Sequence, residues 1–189
     1  MKKLLTILAG LSLLALTGRA EKIDLGTGKA LFLTVPASWI VADMPAPPPG
    51  MSATGTNVRY VTRNGSNDTV LISVISVPDD RFADRENLKA MAEESTQQFV
   101  TGSVEGKANL KELRLATATG LSVTLTDASL VGKPSAKDEY KVLTSCFVYL
   151  GGHLMLNATI FTDDLTGKAY ADALRLLKSI SLEQPKKPL

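Results

Sequence analysis

The chain has 189 residues, a formal net charge of +2, one histidine and one cysteine. A disulfide needs two thiols, so an intramolecular one is excluded, and a zinc site normally takes several histidine or cysteine ligands, so none is expected. A charge so near zero offers no concentrated cationic face, and no nucleic-acid partner is expected.

The first elements are an address. Lys2 and Lys3 precede the apolar run Leu4 to Leu16, and Thr17-Gly18-Arg19-Ala20 follows. A basic start, an apolar stretch and small residues make a secretory signal peptide over 1–20. Gly18 and Ala20 fill the two positions that a signal peptidase inspects, which puts cleavage between Ala20 and Glu21. The run is 13 residues long, short of the roughly 20 needed to span a bilayer, so no permanent membrane anchor is expected after cleavage. Removing Lys2, Lys3 and Arg19 takes the mature charge to −1. The expected location is periplasmic or secreted. One domain over 21–182 and a disordered tail over 183–189, with Lys186-Lys187 between prolines, account for the rest.

Leu31, Leu33 and Val35 alternate with Phe32 and Thr34, which predicts a strand that Pro36 ends. Asn57 to Thr62 and Thr69 to Val77 are β-rich runs joined through Asn64-Gly65, a hairpin signal. The second run is apolar on both parities and predicts an inner strand. Between the first strand and these lies the proline-rich segment Met44 to Gly50. Asp84 predicts an N-cap for a helix from Arg85 to about Thr101, with Leu88, Met91, Ala92, Ser95 and Phe99 facing the sheet. Strands follow over 109–116 and 121–129, then a polar loop over 132–139. Tyr140 to Leu150 and His153 to Phe161 flank Gly151-Gly152 as a hairpin, with Cys146 opposite Asn157 if Leu150 faces His153. Thr162 or Asp163 then caps a last helix whose stripe is Leu165, Ala169, Ala173, Leu176, Leu177 and Ile180.

This order, with Val35-Pro36-Ala37-Ser38-Trp39 after the first strand and Leu176-Leu177-Lys178-Ser179-Ile180 at the end, resembles the PsbP-like and DcrB-type periplasmic families. It is similar also to the Ran-binding Mog proteins, which share that fold. The resemblance implies an α+β fold: a central, mostly antiparallel β-sheet with helices packed on its faces, an α/β/α sandwich. It implies a protein that acts by binding partners, and it supplies no catalytic residues.

The residues themselves offer little chemistry. A serine nucleophile needs a base and a strained elbow, and Gly120-Leu121-Ser122-Val123-Thr124 lacks the second glycine of that elbow. His153, the one histidine, reads as a hairpin-end residue. Cys146 reads as a buried thiol and the hairpin register keeps the two apart. Asp79, Asp80, Asp84 and Glu86 lack the spacing of a calcium loop. Gly26-Thr27-Gly28-Lys29-Ala30 and Gly106-Lys107-Ala108 lack the pattern of a phosphate loop. No cofactor or metal is expected. Trp39, Pro47, Pro48 and Tyr60 are the candidate partner contacts, with core or spacer roles as the plainer reading of each. The sequence therefore favours an exported, non-catalytic protein that binds another protein or an envelope component. Two alternatives stay open: a carrier of an apolar small molecule held between helix and sheet, and a hydrolase using His153 and a nearby carboxylate.

Overall fold

The computed structural model describes residues 18–26, 28–44, 55–137 and 139–183. Residues 1–17 of the expected signal peptide, Pro47 and Pro48 of the proline-rich segment, and 184–189 of the expected tail lie outside them. Along the chain come β1 (Gly18–Asp24), β2 (Ala30–Pro36), β3 (Trp39–Ala42), β4 (Thr56–Thr62) and β5 (Thr69–Ser76). Helix α1 (Arg85–Val100) is followed by β6 (Lys111–Arg114), β7 (Thr119–Thr126), β8 (Val142–Gly151) and β9 (Leu154–Thr162). Helix α2 (Lys168–Lys178) and β10 (Ser181–Glu183) close the described chain.

Seven strands form one sheet in the order β3-β4-β5-β9-β8-β7-β6, and β1-β2-β10 form a smaller one. Every strand pairing is antiparallel. The fold is α+β, with a helix on each face of the large sheet. Side chains alternate across a strand, so each strand serves two layers. Val70, Ile72 and Val74 of β5, Cys146 and Val148 of β8, and Ala158 and Ile160 of β9 meet Leu176, Leu177 and Ile180 of the α2 segment and Leu31, Leu33 and Val35 of the small sheet. Phe147 of β8, Met155 of β9 and Leu121, Val123 and Leu125 of β7 point the other way, against Leu88, Ala92 and Val100 of α1.

Local chemistry explains the boundaries. Asp84 accepts hydrogen bonds from the amides of Glu86 and Asn87, both at 3.0 Å, satisfying two donors that a helix start leaves orphaned. Gly120 has a packing role: a Cβ there would collide with the Phe147 carbonyl and lie 2.5 Å from Val148 Cγ2. It lets β7 and β8 close up and has no part in a nucleophile elbow.

Several expectations are corrected. The buried row of α1 is Leu88, Ala92, Thr96 and Val100, while Ser95 is exposed and Phe99 is 45 % exposed. Thr96 can be buried because its hydroxyl donates to the Ala92 carbonyl at 2.7 Å within the helix. In the β8–β9 hairpin Gly151 pairs with Leu154, and Gly151, Gly152 and His153 all take positive φ (84°, 58° and 62°). The two-residue turn is Gly152-His153 instead of Gly151-Gly152, and a bulge between Tyr149 and Gly151 shifts the register again, so Cys146 faces Ala158 and not Asn157. Helix α2 starts after Gly167, and Leu165 is 41 % exposed. Neither Thr162 nor Asp163 is its cap, because Gly167 holds that position; the Thr162 hydroxyl accepts from the Asp164 amide at 3.2 Å and donates to Asp68 at 2.5 Å, while Asp164 turns the chain by accepting from the Thr166 amide at 2.8 Å. The strands expected over 109–116 and 121–129 end earlier, at Arg114 and Thr126.

Candidate functional site

The reactive side chains do not converge. Burial pushes the Cys146 thiol up to about 12, so it carries no thiolate at neutral pH. His153 sits at the hairpin tip, exposed. Its Nε2 lies 3.6 Å from Asp80 Oδ1, its backbone amide donates to the Tyr149 hydroxyl at 3.2 Å, and that hydroxyl donates to Asp80. The Asp80 carboxylate, by accepting that bond, raises the Tyr149 pKa. Among the described residues no hydroxyl or thiol bonds to the His153 ring, so this triangle lacks a nucleophile. It joins the hairpin tip to the segment entering α1.

The acidic cluster is likewise occupied. Asp79 accepts from the Arg81 amide at 3.0 Å, Asp80 takes Tyr149, and Asp84 caps α1. Among the described residues no three histidine, cysteine or carboxylate side chains group as a metal centre would require. Gly26 and Gly28, with φ of 70° and 72°, belong to the β1–β2 turn, where Asp24 accepts from the Gly26 amide at 2.8 Å.

Trp39 and Tyr60 are core residues, 1 % and 0 % exposed, and neither offers a surface to a partner. The Trp39 indole N–H and the Tyr60 hydroxyl make no well-formed hydrogen bond among the described residues. Burial, and after it the Glu21 carboxylate, raises the Tyr60 pKa. Ala20 and Glu21 lie in β1, opposite Thr34 and Leu33.

One residue that the sequence reading missed organises this side. Asp172 is 1 % exposed, yet it is a carboxylate in the packed face of α2. It accepts from Ser38 Oγ at 2.9 Å and from Lys168 Nζ at 2.5 Å, and Arg175 also donates to it. A buried carboxylate needs such partners. The link ties α2 to the Ala37-Ser38 turn between β2 and β3. Its signal was present: Lys168 and Arg175 stand four residues before and three after it, on one helix face.

What remains is space between helix and sheet. A half-open cavity of about 300 Å³ lies where the C-terminal end of α1 leaves the large sheet, lined by Phe99, Leu125, Leu143, Tyr140 and Phe161 among others. The Tyr140 and Phe161 rings lie 4.8 Å apart. Apolar exposure gathers nearby. Val104, 59 % exposed, donates its amide to Thr126, which also lines the cavity. Glu105 pins the same corner, accepting from the Thr126 amide at 2.8 Å and hydroxyl at 2.9 Å. A second cavity, of about 330 Å³, adjoins Pro36, Trp39 and Arg63, with Gly18 and Arg19 in its lining.

Fold and site together define a helix–sheet–helix α+β domain with an apolar hollow at the end of α1. The fold is PsbP-like. The chain is similar to the solution structure of cyanobacterial PsbP (CyanoP) from Synechocystis sp. PCC 6803, with a TM-score of 0.52 and 10 % identity, over 93 % of this chain and 99 % of that one. No protein-family model and no curated protein matches the chain. At this identity the likeness is one of fold.

Proposed function

We propose that this is an exported, non-catalytic protein that binds another protein or an envelope component, released from its signal peptide between Ala20 and Glu21. The supporting observation is the apolar corner at the end of α1, where Phe99 and Val104 stand exposed beside an open hollow. Exposed apolar clusters of this kind mark interaction sites more often than chance surface. Cleavage after Ala20 is compatible with the fold, because Glu21 to Asp24 would still pair with Leu33 to Ala30 and hold the small sheet. The location that follows is periplasmic or extracellular.

Two measurements test this. The intact mass of protein recovered from the periplasm or medium should correspond to a chain beginning at Glu21. Recovery from the cytosol with Met1 attached contradicts export. Chemical cross-linking in intact cells should give a reproducible heteromeric adduct, and its consistent absence contradicts partner binding.

A second reading, a carrier for an apolar small molecule, is favoured by the size and walls of the same hollow. Ligand pockets start at roughly 300 Å³ and are lined mainly by apolar and aromatic groups.

A further inference from the structure

We propose that the hollow between α1 and the sheet is a binding site for a small aromatic carboxylate. The inference rests on the carrier reading and gives it a ligand class. The apolar side of the argument is geometric. Leu125 of β7 and Leu143 of β8 form the floor, Phe99 of α1 forms one wall, and the Tyr140–Phe161 pair forms another. Aromatic walls favour a flat ring that can stack or meet them edge-on. A space of about 300 Å³ matches a one- or two-ring molecule.

The charge side of the argument comes from the two charged residues in the lining of the hollow, Asp127 and Lys141. Asp127 is occupied. Its carboxylate accepts from the Ser129 amide at 2.8 Å, and the hydrogen bonds from Ser129 hold it below the usual aspartate range. Lys141 is fixed through its backbone alone: its amide donates to Asp163 Oδ1 at 3.0 Å and its carbonyl accepts from the Asp127 amide at 2.8 Å. Its ammonium makes no hydrogen bond or ion pair among the described residues. A ring-lined slot with one uncommitted cation suits a ligand with an apolar ring and an anionic end, since the ring fills the hollow and the carboxylate meets the ammonium where water still reaches.

The probe pair is 2-naphthoate and its neutral counterpart 2-naphthamide, titrated into the ¹⁵N-labelled purified protein. Naphthoate should shift the amides of Phe99, Gly102, Ser103, Leu125 and Leu143 saturably. Naphthamide should bind about 5-fold more weakly, the effect of roughly one partly exposed ion pair. Lys141→Met should abolish that preference while leaving naphthamide unchanged. Phe99→Ser, at an exposed position that does not hold the fold, should weaken both. Absence of saturable shifts, shifts confined to another region, equal affinity for the two probes, or a preference that survives Lys141→Met would each overturn the proposal. If naphthoate fails while in-cell cross-linking still yields an adduct, the ligand class is wrong and partner binding stands.

Discussion

The two faces of the large sheet are finished differently. On the α2 side, the helix and the small sheet together cover the strands, and Tyr60, Val70, Ala158, Ile160, Leu176 and Ile180 are all 0 % exposed. Several polar groups there are committed as well, with the hydroxyls of Thr124, Thr144 and Tyr170 linked at 3.0 and 3.2 Å. On the α1 side, the helix packs mainly on β7 and β8, reaches β9 at Met155, and leaves the rest of β9 and its neighbours without a covering helix. Asn157 is exposed although β9 lies between β5 and β8, and Asn57, Arg59, Leu71, Ser73 and Thr159 around it are only half-buried. One face is finished as a core. The other carries open surface and the apolar hollow, which is why binding is placed there.

The contrast can be broken most decisively by truncating one residue on each face. Leu176→Ala should cost about 3 kcal/mol in urea unfolding, as for other fully buried leucines, whereas Phe99→Ala should change stability by less than about 0.5 kcal/mol. Similar losses at both positions would erase the distinction. Asp172→Ala should cost about 2 kcal/mol: Ser38 loses its acceptor, while Lys168 and Arg175, largely exposed, return to water. The same variant should loosen the Ala37-Ser38 turn in hydrogen exchange.

On the α1 side, Asp84→Ala should cost about 1 kcal/mol and unprotect the Glu86 and Asn87 amides, leaving the α2 face unaffected. The smallest expected effect is one of pH at the corner of the hollow. Burial pushes the Glu105 carboxyl up, but the amide and hydroxyl of Thr126 pull it further down, below its ordinary 4.5. A depressed pKa in the folded state contributes stability above about pH 4.5 that is lost as pH falls through the folded value. The Glu105 carboxyl carbon should therefore titrate below 4.5 by NMR, and Thr126 protection should fall with it. A midpoint at or above 4.5 would contradict the pinned corner.

Much of the scaffold could be read from the sequence because its signals are local. Alternation marked β2, β-rich composition marked β4 and β5, Asp84 marked the start of α1, and Gly151-Gly152 marked the closing hairpin. What was missed lacks a local signal. β1 reads GRAEKID, with Ile23 its one buried residue, and β3 and β10 are four and three residues long. Each is a strand because β2 or β4 offers it an edge. Helix α1 was legible, but its rotation was not: Thr96 turns inward by bonding its own helix, and Phe99 is thereby left outside. The hollow was harder still, since Phe99, Leu125, Leu143 and Phe161 meet only after four elements have packed, and no spacing reports where a helix stops covering a sheet.

The central claim is that the open α1 corner, and not exposed apolar surface in general, is where this protein meets its partner. Photo-cross-linking with benzoylphenylalanine at position 99 tests it in living cells, with position 165 as the exposed apolar control. The account predicts a discrete, reproducible adduct from position 99 and none from position 165. The same adducts from both positions, or none from position 99, would contradict it.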